Sequence, residues 1–234
     1  MRIVLLIVLF FCSVTTNANW YLFGGPGFAW YQGDVSESGI PDLKMIKFNA
    51  KIGAGYDFRS RWGIRGHFSY GTFHGSDEYA GDVFKQARGI SFNSTVYDGG
   101  ITLRYRDLFK KNTSLINYGF FGFDAMQMSV DRTVTGTGAL IAEDPPGSFQ
   151  YNIPVGFGLG KWFSAHWGWA YEFSFHFTLT DYLDGTSNAG NPDAGDSFIA
   201  NHFMLLYRFR GGSKESGSGG YSPGNLNNVD CPRF

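Results

Sequence analysis

The side chains best placed to do chemistry in this chain fall at alternate positions of one segment. Glu172, Ser174, His176 and Thr178 are each two residues apart, and the period of two in an extended strand puts all four on one face. A serine beside an imidazole and an acid is the elementary set for nucleophilic catalysis, in which the imidazole accepts the hydroxyl proton. The intervening residues argue for another role. Trp167, Trp169, Tyr171, Phe173, Phe175, Phe177 and Leu179 are all large and apolar. The histidine face is therefore the inner one of a sheet whose outer face meets something apolar, and no catalytic residue is assigned. His67 and His202 are expected on the same inner surface, in hydrogen-bonded structural roles. Asp181, Asp184, Asp193 and Asp196 could offer oxygen ligands to Ca²⁺, but acids in a segment rich in Gly and Asn read first as turn residues. No metal and no cofactor is assigned.

The elements that hold these residues are long alternating strands. The run from Trp167 is about 13 residues, against the five or six usual in soluble sheets and the roughly 9–11 that cross a bilayer at a tilt. Before it, Tyr151 to Phe163 sets Ile153, Val155, Phe157 and Leu159 against Pro154, Gly156, Gly158 and Gly160, with Ser164-Ala165-His166 as the turn. Six further strands are expected: Trp20–Gly33, Lys44–Phe58, Trp62–His74, Ile90–Arg106, Leu115–Val130 and Asp196–Arg210. Alternation is clean in Lys44–Phe58, with Ile46, Phe48, Ala50, Ile52, Ala54 and Tyr56 on one side. It is blurred in Trp20–Gly33 by Gly24-Gly25-Pro26-Gly27, so that strand's faces stay open. Leu115–Val130 is apolar on both faces near Tyr118 to Phe123.

Eight strands with alternately long and short connections give an all-β fold, an eight-stranded antiparallel up-and-down transmembrane β-barrel of OmpA- or OmpX-like architecture. In lipid every backbone polar group needs a partner within the protein, which a closed sheet supplies. A barrel of this size is just filled by its own side chains. The expected lumen carries Lys47, Lys51, Arg65, Arg104 and Arg208 with Asp57, Asp98, Asp124 and Glu172, beside His176 and His202. Near balance of sign predicts a plugged, ion-paired interior, since buried charges must be paired. Trp62, Trp162, Trp167 and Tyr207 are expected in aromatic girdles. A secreted lipocalin-like barrel, apolar inside, is the alternative that alternation alone does not exclude. Continuous aromatic faces opposite charges of both signs favour the membrane.

Composition agrees. The chain has 234 residues with a formal net charge of −1 and mean hydropathy −0.16, which suits a barrel and gives no basic surface for nucleic acid. Residues 1–18 read as a signal peptide: Arg2, an apolar core from Ile3 to Phe11, and Thr16-Asn17-Ala18 as the cleavage site. Cys12 would mark a lipoprotein, but Phe11 before it is too large for that processing. Residues 19–210 form the barrel domain, and 211–234 a flexible C-terminal tail rich in Gly and Ser. Once the leader is removed, Cys231 is the one cysteine, a candidate for an intermolecular disulfide in an oxidising compartment. The connection rhythm places the protein in the cell outer membrane, in contact with its lipids, with both termini in the periplasm.

Four segments together resemble the PorG-like outer-membrane barrels: Tyr56-Asp57-Phe58-Arg59-Ser60-Arg61-Trp62-Gly63-Ile64-Arg65 with Tyr70-Gly71, Arg88-Gly89-Ile90-Ser91-Phe92, Ile153-Pro154-Val155-Gly156-Phe157-Gly158, and Phe177-Thr178-Leu179-Thr180-Asp181-Tyr182-Leu183-Asp184. That resemblance implies a non-enzymatic anchor for a periplasmic assembly such as the type IX secretion ring, with a ring or lipoprotein partner met through the tail and Cys231. A general surface barrel whose outer loops bind or adhere is the alternative, and an envelope lipid-modifying enzyme a distant one.

Overall fold

The structure is a computed structural model; it describes residues 20–33, 35, 43–58, 61–79, 83–109, 115–134, 149–180, 182–183 and 196–209. The leader, the tail with Cys231, and Asp181, Asp184 and Asp193 lie outside the described residues.

Eight strands close into one barrel in sequence order, each antiparallel to its neighbours. They are β1 (Trp20–Gln32), β2 (Lys47–Asp57), β3 (Trp62–Ser76), β4 (Ile90–Arg106), β5 (Leu115–Val134), β6 (Gln150–Trp162), β7 (Trp167–Thr178) and β8 (Ser197–Arg208). β1 pairs with β8 from Tyr21↔Arg208 to Gln32↔Ser197 and closes the ring. We call the end holding Trp20 and Arg208 the near end, and the opposite one the loop end. At the loop end β3 and β5 run past the expected His74 and Val130. The β3–β4 connection carries a short helix α1 (Val83–Arg88), ended by Gly89 at a φ of 62°, the left-handed conformation in which a glycine terminates a helix without strain. Asp77 holds this connection, accepting from Arg88 Nε and Nη2 at 2.8 Å each and from the backbone N–H of Ile90 at 3.0 Å.

The two faces of the sheet are chemically opposite. Ile52, Phe68, Ile101, Phe121, Phe123, Val155, Phe157, Trp169, Phe177, Phe203 and Leu205 are all exposed on the outside. A monomer in water would not expose so continuous an apolar belt; the belt is the lipid-facing surface of a transmembrane barrel. Trp62 against Tyr105 and Trp167 against Tyr207, both at 4.8 Å between ring centroids, form the near-end girdle. Trp162 is not part of it. It lies on the inward side of β6, packed on the near-end core, because the girdle register on β6 falls to its odd-numbered residues. The strand left open by the sequence resolves the same way: Tyr21, Phe23, Ala29 and Tyr31 point in and Leu22, Phe28 and Trp30 point out. Pro26, which has no N–H to give the ladder, sits where pairing to β8 lapses between Gly24↔Leu205 and Gly27↔His202.

On β4 and β5 this polarity inverts part-way along. Below the pair Tyr97↔Gln127 the outside is apolar (Ile101, Leu103, Phe121, Phe123), and the inside holds the polar Asp98, Thr102, Arg104 and Asp124 above the near-end core residues Ile116, Tyr118 and Phe120. Above it the outside is Asn93, Thr95, Gln127, Ser129 and Asp131, and the inside is mostly apolar: Ile90, Phe92, Val96 and Met126 are buried with Tyr31, Phe73 and Phe198, beside the buried Ser94 and Arg132. The upper part has the polarity of a water-soluble protein. From Gln127 to Val134 the strand extends roughly 23 Å at about 3.3 Å per residue.

Candidate functional site

The interior is filled in three layers by side chains from all eight strands. At the loop end is the apolar cluster around Tyr31, Phe73, Phe92 and Phe198. At the near end is a second one, of Tyr21, Phe23, Ile116, Tyr118, Phe120, Met204 and Leu206. Between and among them lies the polar network.

Glu172 is its centre. It is 0% exposed, and accepts from Arg65 Nη1 at 2.6 Å, from Lys51 Nζ at 3.1 Å and from the Tyr118 hydroxyl at 2.8 Å. The Arg65 guanidinium also lies 4.6 Å from the Phe120 ring and 5.2 Å from Phe23, so inward aromatics supply π-faces to a cation removed from water. Gly158 makes room for the hub: a Cβ there would fall 2.2 Å from the Tyr118 ring. Towards the near end Asp57 accepts from Arg104 at 2.5 Å and from Arg106 at 3.0 Å.

A second polar group sits against the loop-end core. His176 bridges Ser174 Oγ at 3.0 Å and Asn152 Oδ1 at 2.9 Å, and stacks on Phe198 at 4.1 Å. Ser174 Oγ in turn donates to the Ala200 carbonyl at 3.2 Å. Serine, imidazole and amide are thus in line, but Ser174 is 0% and His176 1% exposed, and the serine proton is committed to the backbone. His202 binds Asn49 Oδ1 at 2.7 Å. His67 Nε2 lies 3.2 Å from Asp124 Oδ2 and 3.8 Å from Asp98 Oδ1, and Ser69 Oγ donates to Asp98 at 2.7 Å.

Nine of the eleven expected lumen residues are buried inside: Lys51, Asp57, Arg65, Asp98, Arg104, Asp124, Glu172, His176 and His202. Two are corrected. Lys47 is only half-buried, at the first residue of β2 on the loop-end rim. Arg208 is exposed at the near-end rim, its guanidinium 4.0 Å from the Trp162 ring. Both have inward parity, but strand ends meet water, so they need no buried partner. The sequence reading missed Arg106, Tyr118 and Asn152. Tyr118 was hidden in a stretch apolar on both faces, where the hydroxyl was its only sign. It also missed Asn201, on the outward face of β8, whose side-chain oxygen accepts from the Tyr171 hydroxyl.

No protein-family model matches the chain, and no curated protein matches it. Solved structures do. The Neisserial surface protein A is 10% identical with a TM-score of 0.51, over 81% of this chain and 97% of that one. OprG from Pseudomonas aeruginosa, an outer membrane protein, is 9% identical with a TM-score of 0.48, over 84% and 98%. Ail, the attachment invasion locus protein of Yersinia pestis, is 15% identical with a TM-score of 0.46, over 82% and 99%. What is shared is the fold. At such identities the likeness to Neisserial surface protein A carries the barrel architecture and nothing finer.

Proposed function

We propose that this chain is a closed, non-conducting and non-enzymatic barrel of the outer membrane that presents a rigid platform outside the cell for binding or adhesion. The observation that carries this reading is the polarity inversion on β4 and β5. A segment polar outside and apolar inside is built to stand in water, and the Asp77–Arg88 pair and the loop-end core hold it in one shape. Burial supports the non-enzymatic part of this reading: Ser174 and His176 are closed off from lipid and solvent. In a Cys231→Ser background, cysteines at Ser129 and at Ser164 separate the two sides. A membrane-impermeant maleimide should label Ser129→Cys on intact cells and Ser164→Cys only after the outer membrane is breached. The reverse pattern would point the platform inward and end this reading.

A second reading, anchorage of a periplasmic assembly such as the type IX secretion ring, is favoured by where β8 finishes. Residues 211–234 follow directly from the near end, the periplasmic side under the orientation above, and carry Cys231. Non-reducing electrophoresis of outer membranes tests it. A reductant-sensitive larger species, lost in Cys231→Ser, supports the tether and yields the partner; one monomer band in both removes the disulfide.

A further inference from the structure

We propose that the lumen holds a divalent first-row transition ion, of the zinc class, on His67, Asp98 and Asp124. The strand register builds the site. His67, Gly100 and Asp124 stand in one row across β3, β4 and β5. Gly100 has no side chain, so its neighbours lean into the gap between them: a Cβ on Gly100 would fall 2.0 Å from Asp124 Oδ1. Asp98, two residues along β4 on the same inward face, closes the third side.

Geometry, charge and an unpaired atom point the same way. One ligand atom from each of the three residues lies within 4.8 Å of the others, with His67 Nε2 at 3.2 Å from Asp124 and 3.8 Å from Asp98. Bonds of 2.0–2.2 Å to a tetrahedral zinc ion require ligand separations of about 3.4 Å, so the set completes as separations of up to 4.8 Å close towards that value. Asp124 is 0% exposed, yet its Oδ1 has no hydrogen-bond partner. Buried carboxylate oxygens are seldom left so, and this one is the free atom in the gap. Among the described residues the buried cations near this level are committed elsewhere, Lys51 and Arg65 to Glu172 and Arg104 to Asp57, and the buried Arg132 lies eight residues along β5 towards the loop end. Asp98 and Asp124 have only imidazoles within salt-bridge reach, and two buried carboxylates without a fixed cation are costly. A divalent ion cancels both charges. One imidazole with carboxylate oxygens is a donor set that suits such an ion, and Ser69, donating to Asp98, orients its ligand as outer-shell partners do.

The test uses the purified full-length barrel in detergent, tag removed and stripped with chelator. Titration with Zn²⁺ should show one equivalent bound and a higher melting temperature, and Co²⁺ should give visible d–d absorption. Ser69→Ala should weaken binding roughly 10- to 100-fold. Asp124→Asn and His67→Gln should abolish it, while His166→Gln, at the rim, should leave it unchanged. Heat-modifiable gel mobility checks that each variant is folded. If the ligand variants do not fold, X-ray absorption of Zn²⁺-loaded wild type decides: one imidazole among oxygen ligands supports the site, and sulfur or several imidazoles overturn it. No saturable binding, or binding indifferent to both ligand variants, overturns it too.

Discussion

Removing the Glu172 carboxylate should be the most costly single polar change in this barrel. It compensates Lys51 and Arg65 together and accepts the Tyr118 hydroxyl. The site is nominally +1, and Glu172→Gln makes it +2 with no solvent to share the charge. Breaking a buried pair by taking one partner costs about 3–5 kcal/mol, or roughly 150- to 5,000-fold in the folding equilibrium at 1.36 kcal/mol per decade. The volume hardly changes, so almost none of this is a cavity effect. Lys51→Met in the Glu172→Gln background restores +1 and should recover at least half of the loss, whereas Lys51→Met alone leaves Glu172 on Arg65 and should cost less than Glu172→Gln. The four proteins form a double-mutant cycle whose coupling term should exceed about 1 kcal/mol for groups in direct contact.

The assay is reversible urea unfolding in lipid vesicles, followed by tryptophan fluorescence, with heat-modifiable gel mobility as the folding check. A Glu172→Gln loss below about 1 kcal/mol, the range of solvated pairs, would refute the reasoning. It would mean that water fills the lumen at this level and that Lys51 and Arg65 are screened. A full loss with no recovery in the double variant would refute the charge argument specifically and leave a packing role.

Three further outcomes follow from the same geometry. Phe173→Arg, on the belt beside Phe157 at 5.5 Å, should destabilise by about 2–4 kcal/mol if it lies near the bilayer midplane, read by the same unfolding assay; an unchanged midpoint would move β7 out of the lipid. Gly158→Ala should cost about 1–3 kcal/mol through overpacking against Tyr118, and Tyr118→Leu in that background should recover part of it. In planar bilayers the wild type should give no ohmic steps. Phe73→Ala with Phe198→Ala should also stay silent, although it removes a ring pair 4.9 Å apart, because the Glu172 layer still closes the path; conductance in that variant would show that the polar layer is no barrier.

Which parts of this could be read from the chain depends on whether the information is local. In β2, in β7 and in β6 as far as Gly160, apolar side chains alternate with small or polar ones, and the strands follow. β1 lacks this signal, because Gly24, Gly25 and Gly27 have no side chain to give it. The Glu172 network was legible as a set of inward charges but not as pairs. Pairing is set by cross-strand register, which the long connection between β3 and β4 does not announce in the sequence. The grouping of His67, Asp98 and Asp124 is hidden for the same reason. Its one local mark is Gly100, and a glycine in a strand also has commoner explanations. Trp162 was misread because residue type was weighed above parity, and the exposure of Arg208 comes from its place as the last residue of β8.

Alternation of period two is shared by soluble and membrane barrels, so apolar content could not decide between them. The decision rests on which parity holds the charges, and β4 holds both answers. From Asp98 to Arg104 its inward residues are polar, which only a lipid-facing exterior can match. From Ile90 to Val96 its inward residues are apolar apart from Ser94, and its outward Asn93 and Thr95 are polar, the pattern that water outside matches. A barrel wholly in water would keep the second pattern to its near end, and one wholly within the bilayer would keep the first to its loop end. The reversal therefore sets the membrane surface near Tyr97 and Gln127. Above that level lipid contributes nothing to stability, so the protruding strands need a core of their own, and the cluster around Tyr31, Phe73, Phe92 and Phe198 is that core.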